Sequence, residues 1–70
     1  MKPYNELRAP KGKFRVLGVD TFEGPFADYL IGDYETEIEA TEIAKQRAGT
    51  MNPVYVYDDT GRLIWNGGSP

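Results

Sequence analysis

Only one stretch of this chain, residues 36–48, carries a helical pattern, and the apolar stripe it offers is nearly all alanine. Ala40, Ile43, Ala44 and Ala48 recur at the spacing of a single helix face. So narrow a stripe of small side chains suits close approach to a sheet, and it can cover only one side of it. The rest of the chain's regular pattern alternates with the two-residue period of strands. None of the nine aromatic residues falls in the helix; Phe14, Tyr29, Tyr55, Tyr57 and Trp65 all sit in the alternating stretches. The sheet face that the helix leaves uncovered therefore displays tyrosines, or buries them against something else.

The helix boundaries are written into the sequence. Thr36 and Glu39 fit a capping box, in which each side chain satisfies a backbone donor of the first turn. Glu37, Glu39 and Glu42 come early, and Lys45 and Arg47 late, the order the helix dipole favours. Gly49 is the residue expected to end the helix in a left-handed conformation. Ile38 lies off the stripe, exposed or touching a loop.

Four strands are predicted around it. Residues 13–19 and 26–34 form the first two, joined through a turn-rich segment in which Pro25 removes a ladder donor. Val54-Tyr55-Val56-Tyr57 opens the third with strict alternation, and Asp58-Asp59-Thr60-Gly61 is a hairpin turn with Gly61 suited to positive φ. Residues 62–66 return as the fourth. An extended arm (residues 1–12), pinned by Tyr4 and Leu7, precedes the domain at 13–66, and residues 67–70 form a flexible end. The fold class expected is α+β, β-β-α-β-β, with a four-stranded antiparallel sheet ordered 2-1-3-4 and the helix on one face. That order makes every neighbour antiparallel and lets the helical connection keep its usual right hand.

Face assignments follow from the alternation. Val54, Val56, Phe14 and Val16 belong under the alanines. Tyr55, Tyr57, Arg15, Leu17 and Val19 then point the other way and make an aromatic–aliphatic patch edged by arginine. Strict alternation puts Tyr29 and Ile31 on one face with Leu30 and Gly32 on the other, without saying which faces the helix. Trp65 is equally open, because a one-residue slip inverts every assignment.

Composition narrows the chemistry. Seventy residues make one domain with a thin core, burying about 60% of the surface exposed by the unfolded chain. Cysteine and histidine are both absent, which removes disulfides, thiolate chemistry and the usual general base at neutral pH. Ser69 lies in the flexible end, where it cannot be held for attack. Asp59-Thr60-Gly61 spells the tripeptide of the aspartic proteases, but it sits in a tight turn without a second copy, and those enzymes need two such aspartates sharing a proton. Asp33, Glu35 and Glu37 do not have the spacing of a calcium loop. The expectation is a non-enzyme with no cofactor and no metal. Neither a secretory leader nor an apolar run long enough to span a membrane is found, so a cytoplasmic location is expected.

Charge is segregated along the chain. Lys2, Arg8, Lys11, Lys13 and Arg15 stand against Glu6 alone in the first fifteen residues, whereas residues 20–42 hold eight acidic side chains and no basic one. The asymmetry keeps a small protein soluble, and it also gives a basic arm capable of meeting phosphate. The uncovered face has four competing uses: docking the arm, forming a homodimer, binding another protein or peptide, or stacking nucleic-acid bases. Its contact residues would be Tyr55, Tyr57, Arg15 and Leu17, with Trp65 and Tyr29 as further candidates. A nucleic-acid-associated protein using Arg8, Lys11 and Lys13 is the alternative. An acidic body, with few basic residues among the aromatics, argues against it.

Residues 34–64 run from an aromatic and an N-cap threonine through Glu-Ala on the helix to Val-Tyr-Val-Tyr, an Asp-rich turn and Gly-Arg-Leu-Ile. In this stretch, under half of the chain, the sequence resembles small uncharacterised bacterial domains built as strand–strand–helix–strand. The resemblance implies the architecture and no active site or partner.

Overall fold

The computed structural model describes residues 8–20 and 27–69. Tyr4, Leu7 and Pro25 lie outside the described residues. Four strands and one helix follow in the order β1 (Phe14–Asp20), β2 (Ala27–Tyr34), α1 (Glu37–Arg47), β3 (Val54–Tyr57) and β4 (Leu63–Gly67). The sheet is ordered β2-β1-β3-β4 with every pair antiparallel, as the sequence predicts. The helix lies chiefly over the two central strands, β1 and β3.

The alanine stripe decides where the core forms. Ala40 and Ala44 are fully buried against Val16, Val54 and Val56, and Phe14, Ile31, Tyr34, Ala48, Ile64 and Trp65 close around them. Short side chains on both layers bring the helix near the sheet, and β-branched valines fill the remaining gap in few rotamers. Ile38 is 77% exposed, outside the stripe.

Helix start and helix end are held differently. At the start, Thr36 Oγ1 accepts the Glu39 backbone N–H at 3.1 Å. The end departs from the expected left-handed Gly49. Ala48 caps the helix in an extended conformation, and the positive φ falls two residues after Gly49, at Met51 (φ 61). The Asn52 side-chain amide explains the difference by donating to the Arg47 carbonyl, one of the acceptors the last turn leaves unpaired. Gly49 and Asn52 then exchange backbone hydrogen bonds (3.2 and 3.1 Å) across a tight turn.

Each edge strand carries one extra residue. Val16 and Leu17 on β1 pair with Gly32 and Leu30, which leaves Ile31 unpaired, and Val56 and Tyr57 on β3 pair with Trp65 and Leu63, which leaves Ile64 unpaired. A bulge turns two consecutive side chains toward the same layer. Ile31 therefore packs on the helical core although Gly32 beside it also belongs to that side, and Ile64 and Trp65 both pack there. The strict two-residue reading of β2 is corrected accordingly. Tyr29, Ile31, Gly32 and Tyr34 share the helix side, and Leu30 and Asp33 share the other.

Residues 67–69, expected as part of a flexible end, are tied to the body of the domain. Gly67 closes β4, and the Ser69 N–H donates to the Gly49 carbonyl at 3.0 Å.

Candidate functional site

Cross-strand partners share a face, so the register lays out the side away from the helix as two rows. One row runs Asp33, Arg15, Tyr57, Leu63 and the other Leu30, Leu17, Tyr55, Asn66, in each case across β2, β1, β3 and β4. The Tyr55 and Tyr57 rings stack along β3 with centroids 6.4 Å apart and planes inclined by 25°. Four of the six predicted contact residues, Arg15, Leu17, Tyr55 and Tyr57, are thereby brought together.

Their exposure differs from the expected open patch. Leu17 is 1% exposed and Arg15 7%, so the centre of the face is closed to water. Arg15 is tied across the strand pair to Asp33, with Nε donating to Oδ1 at 2.7 Å and Nη2 to Oδ2 at 3.0 Å. This two-point geometry compensates both charges where solvent is scarce. The rim remains accessible: Leu30 is 42% exposed and Leu63 44%, and the tyrosines between them are half-buried. Leu30 and Leu63 were not among the predicted contact residues. Only the bulges reveal that they point to this face, and the signal was the adjacent apolar pairs Leu30-Ile31 and Leu63-Ile64.

Trp65 and Tyr29 go to the other side. Trp65 packs on the core and its ring lies over Gly67, where a Cβ would fall 2.5 Å from Cη2. Tyr29 lies over Gly18 on the neighbouring strand, and its hydroxyl donates to Asn52 Oδ1 at 3.2 Å. Asn52 thus links β2 to the end of the helix. In this arrangement both aromatics act as packing elements.

The β3–β4 turn is built around one carboxylate. Asp58 Oδ1 accepts from Thr60 N–H (2.9 Å), Thr60 Oγ1 (2.7 Å) and Arg62 N–H (2.9 Å), and Gly61 takes φ +86. The Thr60 hydroxyl bond, then the Arg62 backbone bond, hold the Asp58 carboxyl below its ordinary value, against a small opposing effect of burial. Three donors on one oxygen are the signature of a turn staple. The basic candidates stand beside it. Arg8 lies over Gly61, the Gly12 N–H donates to Asp59 Oδ2 at 2.8 Å, and Lys11 and Lys13 flank that bond. Among the described residues, no group of three carboxylates is placed to hold a metal ion, and no helix is long and apolar enough to cross a membrane.

The chain matches no family model, and no curated protein or solved structure matches it.

Proposed function

We propose that this protein is a small, non-catalytic, cytoplasmic interaction domain that binds protein, in the first instance a second copy of itself, through the sheet face opposite the helix. One observation carries the reading. Two exposed leucines, Leu30 and Leu63, flank a stacked tyrosine pair on a face over which no helix or strand of the described residues lies. Tyrosine supplies wide contact area at low entropic cost, and exposed apolar side chains gain most when a partner excludes water from them.

Association is tested by sedimentation over a wide concentration range. The parent chain should rise toward twice the monomer mass, and Leu30→Ser/Leu63→Ser should remain monomeric with an unchanged far-ultraviolet spectrum. Tyr55→Ser/Tyr57→Ser should lose association as well. A parent chain that stays monomeric and shows salt-sensitive retention on single-stranded nucleic acid would replace this reading with one based on Arg8, Lys11 and Lys13.

A further inference from the structure

Ile38 is the least protected large apolar side chain of the described residues, 77% exposed where the next, Met51 and Leu63, are each 44% exposed. It sits in the first turn of α1 and belongs neither to the alanine stripe nor to the sheet face opposite the helix. Carboxylates surround it. Glu37 and Glu39 are its chain neighbours, Glu42 lies one turn on along the same helix face, and Glu35 comes just before the cap, all of them exposed. Residues 33–44 carry no basic side chain.

The opposite charge gathers across the same end of the domain. Antiparallel pairing brings the start of β1, the end of β2, the end of β3 and the start of β4 together there, and α1 sets out from it. Residues 8–13 are tied to the β3–β4 turn by the Ala9 N–H on the Asp58 carbonyl (3.0 Å) and the Gly12 N–H on Asp59 Oδ2 (2.8 Å). This braced tip holds Arg8, Lys11, Lys13 and Arg62 against Asp58 and Asp59, and both carboxylates give an oxygen to backbone donors. Lys11 and Arg62 are exposed, and the exposed Leu63 follows Arg62 directly. One corner of this end is thus an isoleucine ringed by carboxylates, and the other a leucine bordered by cations.

A closed pair of identical chains needs a self-complementary surface, in which each copy offers what the other accepts. Two unlike corners on one end meet that condition. Turned end to end about a twofold axis, each copy lays its acidic corner on the basic corner of the other, and opposite charges face each other twice. The centre of the tyrosine face has no such complement, because Arg15 and Asp33 already neutralise each other there.

We propose that the second copy docks by its helix start, with Ile38 seated against Leu63 and the Glu35 and Glu42 carboxylates facing Lys11 and Arg62, reciprocally in both copies. This pairing rests on the self-association proposed above, and it gives the Leu63 rim a helix, in place of a second tyrosine face, as its partner.

Sedimentation of the full chain over a wide concentration range tests it, and Ile38→Ser is the decisive variant. Ile38 is exposed on the helix side, so its replacement leaves the fold and the tyrosine face intact. The variant should associate about tenfold more weakly than the parent, equivalent to about 1.4 kcal/mol. Raising salt from about 0.1 M to about 1 M, which shortens the screening length from about 10 Å to about 3 Å, should weaken the parent's association as well. Lys11→Glu/Arg62→Glu and Glu35→Lys/Glu42→Lys should each be monomeric alone and associate when mixed. Association indifferent to Ile38→Ser, to salt and to both charge reversals, yet lost in Leu30→Ser/Leu63→Ser, would overturn the docked helix and leave the sheet-face contact standing. A parent chain that stays monomeric at every concentration would overturn both.

Discussion

Replacing Gly18 with alanine tests whether the Tyr29 ring is locked between Gly18 and Asn52. The added Cβ would stand 2.4 Å from Tyr29 Cζ and 2.5 Å from its hydroxyl oxygen, so the ring has to move. Because Tyr29 is at the surface, it swings aside, and the low end of the overpacking cost applies, about 1 kcal/mol. Its hydrogen bond to Asn52 is lost with the movement, about 1 kcal/mol more, and about 0.5 kcal/mol is regained because alanine has less backbone freedom than glycine to lose in a strand. The net destabilisation is about 1.5 kcal/mol, a fall in Tm of roughly 6–12 °C for a domain of this size. Thermal unfolding followed by Trp65 fluorescence measures it. The decisive comparison is the same substitution in a Tyr29→Ala background, where no ring occupies the space and Gly18→Ala should stabilise by about 0.5 kcal/mol. The two backgrounds differ in sign, which gives a coupling of about 2 kcal/mol. An equal cost in both would refute the lock.

Further outcomes are expected at the cap, the ion pair and the turn. Thr36→Ala removes the acceptor of the Glu39 N–H and should cost about 1 kcal/mol in urea unfolding. Asp33→Ala deprives the buried Arg15 guanidinium of two hydrogen bonds and should cost about 2 kcal/mol, with little relief from added salt because the pair is largely shielded. Asp58 has a native value lowered from 3.8, so its ionised form adds stability that is fully present above that value and is lost as pH falls through the lower native one. The advantage of the parent chain over Asp58→Asn should therefore shrink as urea midpoints are taken from about pH 6 down to about pH 2.

Most of the architecture could be read from local signals. The alanine stripe, the Thr36 cap and the valine–tyrosine alternation of β3 each belong to one element, and together they fix the helix span, the sheet order and the buried valines. What escaped the sequence lies in β2 and β4. A bulge is a feature of strand pairing, so the residue that slips out of register depends on the neighbour, and periodicity within one strand cannot show it. That is why Tyr29 and Trp65 had no assigned side and why Leu30 and Leu63 were missed. The helix end escaped for a related reason, since the Arg47 carbonyl is satisfied by Asn52, five residues on, and the glycine after the cap is not needed for it. Burial of Leu17 and Arg15 was hidden too, because alternation reports which way a side chain points and nothing about what lies above it.

Ile31 and Ile64 mark both outer strands of this small sheet with a kink, one on each side of the central Val16–Val56 pair and each opposite a central strand. A straight outer strand invites stray peptide to zip onto it, and a bent one offers only a short, mismatched template. The two isoleucines that help close the hydrophobic interior thus also leave little straight, unpaired backbone on which open-ended fibril growth could start.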